Sequence, residues 1–247
     1  MVHTRAGCVD RYEASMVDRE TSQPLSPYYP PHPKLLRAVF EAWDAKRHEL
    51  GGPGPRNMPL PPLGRWQKSH DFEPKAVSVA GAVPQAYVSR EVAERACSNA
   101  GKRLCSSEEW QLACQGRWRT RFPYGNEFRR VSCNVYRYLH PAHVLHGLSS
   151  VGQLDPRLNL ILTHGDKPLL RETGASARCK SPWWEDAVYD MVGNLDEWVA
   201  AKAGVFRGGF YARATTRGCS AGVKSHSPDY FDYSTGVRCC KDADTSQ

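Results

Sequence analysis

At 247 residues and 27.7 kDa the chain has room for one large domain or two small ones, and 40% hydrophobic content with 24% charged residues excludes wholesale disorder. Its 33 basic against 26 acidic residues give a net charge of +7, yet the cations are scattered. The densest group, Arg117, Arg119, Arg121, Arg129 and Arg130, forms no nucleic-acid-binding module, so nucleic acid is not an expected partner. No apolar run approaches the ~20 residues that cross a bilayer, so no membrane span is expected.

Taken in chain order, residues 8–15 alternate well enough for an opening strand. From about residue 19 to 80 the chain is rich in proline and glycine, which remove donors and fix or free φ. This stretch reads as a long surface excursion with one short helix near 35–47, where Leu36, Val39, Phe40 and Trp43 recur at helical spacing. Ser89 is placed to cap a helix over about 90–100, with Gly101 just past its end. Ser106 and Glu109 form a capping box for the next helix, whose buried side is Trp110, Leu112, Ala113 and Cys114 and which Gly116 closes. Beyond it lie short segments punctuated by turns at Tyr124-Gly125-Asn126, Gly193-Asn194, Gly208-Gly209 and Gly236. Two central helices among short strands make an irregular, loop-rich α+β chain without an internal repeat.

Nine cysteines with no Cys-x-x-Cys spacing read as a disulfide framework made in an oxidising compartment. The start, Met1 to Arg5, has no apolar stretch behind its charge, so the chain is expected to be the mature form of a periplasmic or secreted protein. An odd count leaves one thiol over.

Six strings in fixed order together resemble the formylglycine-generating enzyme family, also called the sulfatase-modifying factor family, with its EgtB-like and PvdO-like branches. They are Asp10-Arg11-Tyr12-Glu13, Gly101-Lys102-Arg103-Leu104 running into Glu109-Trp110, Tyr124-Gly125-Asn126, Val188 to Asn194 with Glu197-Trp198, Arg207-Gly208-Gly209, and Gly236-Val237-Arg238-Cys239. The resemblance implies an elaborated C-type-lectin-like fold stapled by disulfides, in a single domain over 1–247 with the Pro/Gly-rich insertion at about 19–80. It implies bridges Cys97–Cys239 and Cys114–Cys219. Cys133–Cys179 and Cys8–Cys105 are the guesses for the rest, with Cys240 left over or replacing Cys239 or Cys8.

The resemblance also implies calcium at Asp190, Gly193, Leu195 and Glu197, where a turn gathers carbonyl and carboxylate oxygens, and a second calcium site involving Asn134 and Val135. Enzymes of this family bind copper through two cysteines after the Arg-Gly-Gly string. Counted from Gly208, those positions fall at Arg213 and Gly218, and arginine is no ligand for Cu(I), so sulfatase cysteine is not an expected substrate. The histidine pattern of the iron-binding EgtB-like branch is absent, leaving His140, His143 and His146 as the local candidates for copper or iron. The PvdO-like branch is the nearer one, and His226 with Tyr230, Tyr233, Arg213 and Glu13 are its candidate catalytic residues. Two functions are expected from these strings: an exported oxidoreductase that uses oxygen on a small aromatic or peptide-derived substrate, or a calcium-stabilised lectin-like binding module without chemistry.

Overall fold

A computed structural model describes residues 1–135, 139–163, 166–201, 203–213 and 215–243. The elements run β1 (Val2–Thr4), β2 (Gly7–Val9), β3 (Ser15–Asp18), α1 (Pro33–Lys46), α2 (Pro53–Asn57), α3 (Arg65–Ser69), β4 (Pro74–Val77), α4 (Arg90–Asn99), β5 (Arg103–Leu104), α5 (Ser107–Gln115) and α6 (Pro141–His146). They continue with β6 (Lys180–Trp183), β7 (Asp186–Tyr189), β8 (Asp196–Trp198), β9 (Gly204–Arg207), β10 (Gly222–His226), β11 (Thr235–Val237) and β12 (Cys239–Lys241). One sheet has the order β1-β2-β12-β5 and is antiparallel throughout. The other, β10-β9-β8-β11, is antiparallel except where β11 lies parallel to β8. Two ladders, β3-β4 and β6-β7, complete the α+β architecture.

Both central helices start where their caps place them. The Ser89 hydroxyl accepts from Val92 N–H, and at α5 the Ser106 hydroxyl accepts from Glu109 N–H at 3.1 Å while Glu109 accepts from Ser106 N–H at 2.7 Å. Each helix then buries one face: Val92, Ala93, Ala96 and Cys97 on α4, and Trp110, Ala113 and Cys114 on α5. Trp110 and Trp198 are both core anchors, fully buried with their indole N–H groups bonded.

Three expectations need correction. Residues 8–15 do not form one strand: β2 stops at Val9 and β3 starts at Ser15. Between them Asp10 and Glu13 turn inward, to Lys102 at 2.6 Å and to Leu195 N–H at 3.1 Å. The proline-rich stretch is not a surface excursion. Leu25, Tyr29, Leu36, Val39, Trp43 and Phe72 join the same core as Val92, Ala96, Trp198 and Val237. Prolines at the first helical turns let α1 and α2 begin there, because those N–H groups need no helical partner.

The third correction concerns the cysteines. Cys97–Cys239, Cys114–Cys219 and Cys133–Cys179 are bonded as expected. The fourth bridge is Cys105–Cys240, and Cys8 is the free thiol. Pairing of β12 with β5 sets Cys239 opposite Leu104 and Cys240 opposite Arg103, which brings Cys240 within reach of Cys105, while Cys8 faces Lys241 and the His3 ring. Among the described residues no helix is long and apolar enough to cross a membrane.

Protein denatured without reductant is therefore expected to titrate one thiol per chain, and Cys8→Ser to remove it while peptide mapping still recovers Cys105 joined to Cys240. Recovery of a Cys8–Cys105 peptide would overturn this pairing.

Candidate functional site

The chain leaves the turn at Gly193-Asn194 with two successive left-handed residues, φ +85° and +62°, and enters β8. Gly193 is obligatory, because a Cβ there would run into the Asn134 carbonyl. Within β8 alternate side chains face opposite ways, and this short strand carries a carboxylate on each side.

Glu197 turns toward Arg238, which is fully buried at the single-residue corner between β11 and β12. Its Oε1 accepts from Arg238 Nε at 3.2 Å and Nη2 at 2.9 Å, and its Oε2 accepts from Arg238 Nε at 3.0 Å and Trp110 Nε1 at 2.6 Å. Arg238 also donates to the carbonyls of Asp10 and Tyr189. Glu13 lies beside this pair. Burial, and then the charges of Asp190 and Glu197, raise its carboxyl well above the usual range. Asp190 is raised to about 6, chiefly by burial, and accepts from Gly174 N–H at 2.6 Å.

Asp196 faces the other side of β8. It is wholly buried, its Oδ1 accepts from Gly209 N–H at 3.0 Å and from the Arg213 guanidinium, and its Oδ2 has no hydrogen-bond partner. Burial raises this carboxyl to about 7 against the lowering influence of Arg213. Arg213 is 33% exposed and its guanidinium lies 5.6 Å from the centre of the Phe210 ring. Tyr233 meets the same ring edge-on at 5.6 Å, and its hydroxyl is 3.1 Å from His140 Nε2. Burial lowers the basicity of His140, leaving a neutral imidazole at neutral pH. Tyr230 donates to Asp232 Oδ2 at 2.5 Å and stacks on His226 at 3.9 Å.

Of the expected catalytic residues, Arg213, Tyr230 and Tyr233 thus gather about the buried carboxylates Asp196 and Asp232. His226 is stacked between Tyr230 and Phe206 at the edge of this group. Glu13 lies apart from these, buried beside the Arg238–Glu197 pair. Asn194 Nδ2 donates to Glu13 Oε2 at 2.5 Å, while Asn194 Oδ1 accepts from Asn134 Nδ2 and Arg171 N–H. The Asn194 amide therefore cannot flip, and position 13 must offer two acceptor oxygens.

The residues expected to hold calcium lie around the Arg238–Glu197 pair and the Asn134 turn, with these hydrogen bonds. Each Glu197 oxygen already accepts two donors, Leu195 and Gly193 engage their N–H groups with Glu13 and the Gly208 carbonyl, and the Arg238 guanidinium balances the local charge. Asn134 donates its amide to the Leu169 carbonyl and to Asn194, and Val135 is buried with its N–H on the Cys133 carbonyl.

The three histidines are not brought together. His140 faces Tyr233 and Phe210, His143 is exposed, and His146 is buried 3.1 Å from Asp155 and against Trp43. His140 precedes α6 as its N-cap, so the spacing of three does not fall on one helical face. The sequence strings do not single out Asp196, Asp232 or Phe210. The signal for Asp196 was the adjacent pair Asp196-Glu197 inside a short buried strand, where a period of two sends one carboxylate to each face.

Two outcomes follow from this geometry. Glu13→Gln is expected to cost about 1–3 kcal/mol in chemical denaturation, since either amide orientation sets an N–H against Asn194 or Leu195; an unchanged midpoint would refute the assigned orientation. The raised carboxyls of Asp190 and Asp196 bind protons more tightly in the folded than in the unfolded chain. Their contribution is full below the unfolded carboxylate range and is lost as pH rises through about 6 and about 7. Asp196→Asn, which keeps the Oδ1 acceptor, should flatten the upper part of that decline and stabilise the protein at pH 8 by on the order of 1–3 kcal/mol.

Residues 62–243 match the family described as the sulfatase-modifying factor enzyme 1-like domain. The chain is 26% identical over 185 residues to "Inactive C-alpha-formylglycine-generating enzyme 2" of Mus musculus, covering 65% of this chain and 50% of that protein. The Bos taurus protein of the same name is 26% identical over 184 residues with the same coverage. The chain thus spans about half the length of these relatives. Among solved structures, that of PvdO from Pseudomonas aeruginosa aligns with a TM-score of 0.41 at 13% identity, over 97% of this chain and 100% of that one. CarF aligns with a TM-score of 0.39 at 13% identity, over 94% and 99%.

Proposed function

The chain belongs to the sulfatase-modifying factor enzyme 1-like family, with its loop-rich, disulfide-stapled α+β fold of formylglycine-generating-enzyme type, and we propose that it holds a small aromatic or peptide-derived carboxylate at Arg213. One observation carries this reading: a partly exposed guanidinium on a buried carboxyl poised near neutrality, ringed by Phe210, Tyr233 and Tyr230. An anionic ligand competes with Asp196 for Arg213. As Arg213 turns to the ligand, Asp196 loses its stabilising charge and takes up a proton, and the neutral acid is then a proton donor beside the bound molecule. The rings supply flat apolar surface for an aromatic group.

The residues do not fit copper–thiolate chemistry. Eight of the nine cysteines are in disulfides, Cys219 among them, and the free Cys8 is on β2. Arg213 and Gly218 stand where the family's thiols would be counted. The word "inactive" in the relatives' name supports the same departure from cysteine oxidation. Export belongs to this proposal too, because four disulfides are made in oxidising compartments.

Calorimetry with N-acetyltyrosine and tyrosine dipeptides, each as free acid and as amide, tests the proposal. The free acids are expected to bind at least about tenfold tighter than the amides, with proton uptake seen as a buffer-dependent enthalpy between pH 7 and 8. Arg213→Ala should abolish the preference for the acid, and Asp196→Asn should abolish the proton uptake while retaining binding. Equal affinity for acid and amide, or binding indifferent to Arg213→Ala, would sink the proposal.

A further inference from the structure

A cleft whose lining includes none of Arg213, Asp196 and Phe210 takes no part in the chemistry above. Its volume is about 540 Å³, and its walls come from the segment after α5 and from the entry to β6. The Cys133–Cys179 bridge ties those walls together, fixing Ser132 on one side and Arg178 and Lys180 on the other. At the α5 end the chain is fixed by Arg117 N–H on the Pro182 carbonyl at 3.0 Å, and by Gly116, φ +64°, packed close against Pro182.

The lining is one-signed. Arg129, Arg178 and Lys180 line the cleft, no carboxylate does, and among the described residues none of the three is in a salt bridge. The rest of the lining is flat and aromatic. Trp118 is 61% exposed, an unusual state for the largest apolar side chain, and Arg117 lies 4.1 Å over its ring. Tyr124 is stacked on Phe122 at 5.5 Å and 11°, and its hydroxyl accepts from Arg129 N–H at 3.1 Å, holding the base of the Arg129 side chain at the rim.

We propose that this cleft is a binding site for a small aromatic anion, a flat ring carrying a carboxylate, sulfate or phosphate. The volume is that of a small-molecule site. Three uncompensated cations in one concavity raise the local anion concentration, and guanidinium forks match the oxygens of all three anionic groups. Trp118 and Tyr124 give the ring its surface. The bridge and the Pro182 contacts mean that the walls need little ordering on binding, which lowers the entropic cost of association.

Titration calorimetry at low salt with phenyl phosphate, phenyl sulfate and benzoate decides it, with inorganic phosphate and benzyl alcohol as controls. The wild-type protein and Arg213→Ala are run side by side, so that the first site is silent in one of them. The expected result is saturable binding of at least one aromatic anion that persists in Arg213→Ala and, in that background, is weakened about tenfold or more by Arg178→Ala and by Arg129→Ala. Trp118→Ala should weaken the aromatic anion but leave inorganic phosphate unaltered, and affinity should fall with added salt. Which of the three probes binds tightest identifies the anionic group. No saturation below about 10 mM for any probe would overturn the proposal. So would equal affinity for phenyl phosphate and inorganic phosphate, or binding that survives both arginine substitutions. Because Arg129, Arg178 and Trp118 are exposed, loss of binding in a variant with unchanged melting temperature is not a folding defect.

Discussion

The fold depends on one buried ion pair at a corner. The chain passes from β11 in one sheet to β12 in the other through the single residue Arg238, and at that point a guanidinium wholly removed from water grips Glu197 of β8 and the carbonyls of Asp10 and Tyr189. Burying two charges costs several kcal/mol each, and the cost is offset only when both are fully bonded, as here. Removing one partner alone would leave the other charge stranded, at about 3–5 kcal/mol. The immediate neighbours obey the same constraint. Burial raises the Glu13 carboxyl well above its usual range, with the charges of Asp190 and Glu197 adding to it, and raises Asp190 to about 6. Asp10, whose carbonyl Arg238 also holds, is paired with Lys102 at 2.6 Å.

That corner also positions the candidate site. Once Glu197 is pinned to Arg238, the pleat of β8 leaves Asp196 no orientation but the opposite face, toward Gly209 N–H and Arg213. The disulfides Cys97–Cys239 and Cys105–Cys240 hold β12 to α4 and to the segment before α5, so the corner cannot open without straining both. The two faces of one three-residue strand thus divide the work between a satisfied structural pair and a carboxyl with an unpartnered oxygen.

Much of the scaffold was legible because its signals are local. Ser89, and Ser106 with Glu109, announce helix starts through hydrogen bonds made within three residues, and Gly193-Asn194 and Gly208 announce turns through φ. Two bridges, Cys97–Cys239 and Cys114–Cys219, and the family follow from strings of residues in order. The remainder was hidden because it is decided by tertiary partners. Proline density says what cannot form a ladder, but not that Tyr29 and Trp43 will be buried against Trp198. The choice between Cys8 and Cys240 is set by the register of β12 on β5, which no spacing encodes. His140, His143 and His146 are evenly spaced, but the helix begins after the first of them. Asp196 is not legible in the sequence because the family pattern falls on Leu195 and Glu197 on either side of it.

The two candidate sites rest on one seam. Arg121, which precedes Phe122 and Tyr124 on the cleft side, donates to the Thr216 carbonyl and accepts Cys219 N–H on its own carbonyl, while Gly218 packs too closely on Arg121 to tolerate a Cβ. The segment that carries Arg213 is therefore anchored to the segment that forms the cleft, and Cys114–Cys219 fastens that anchor to α5. Neither site is built on a free loop. With short strands and long connections, covalent bridges here do what extended sheets do elsewhere: they remove the alternative loop conformations that a ligand would otherwise have to select against. A chain with so little regular structure holds charged groups at fixed separations because its cysteines lie beside the elements that carry them, at Cys133 and Cys179 for the cleft and at Cys219 for Arg213.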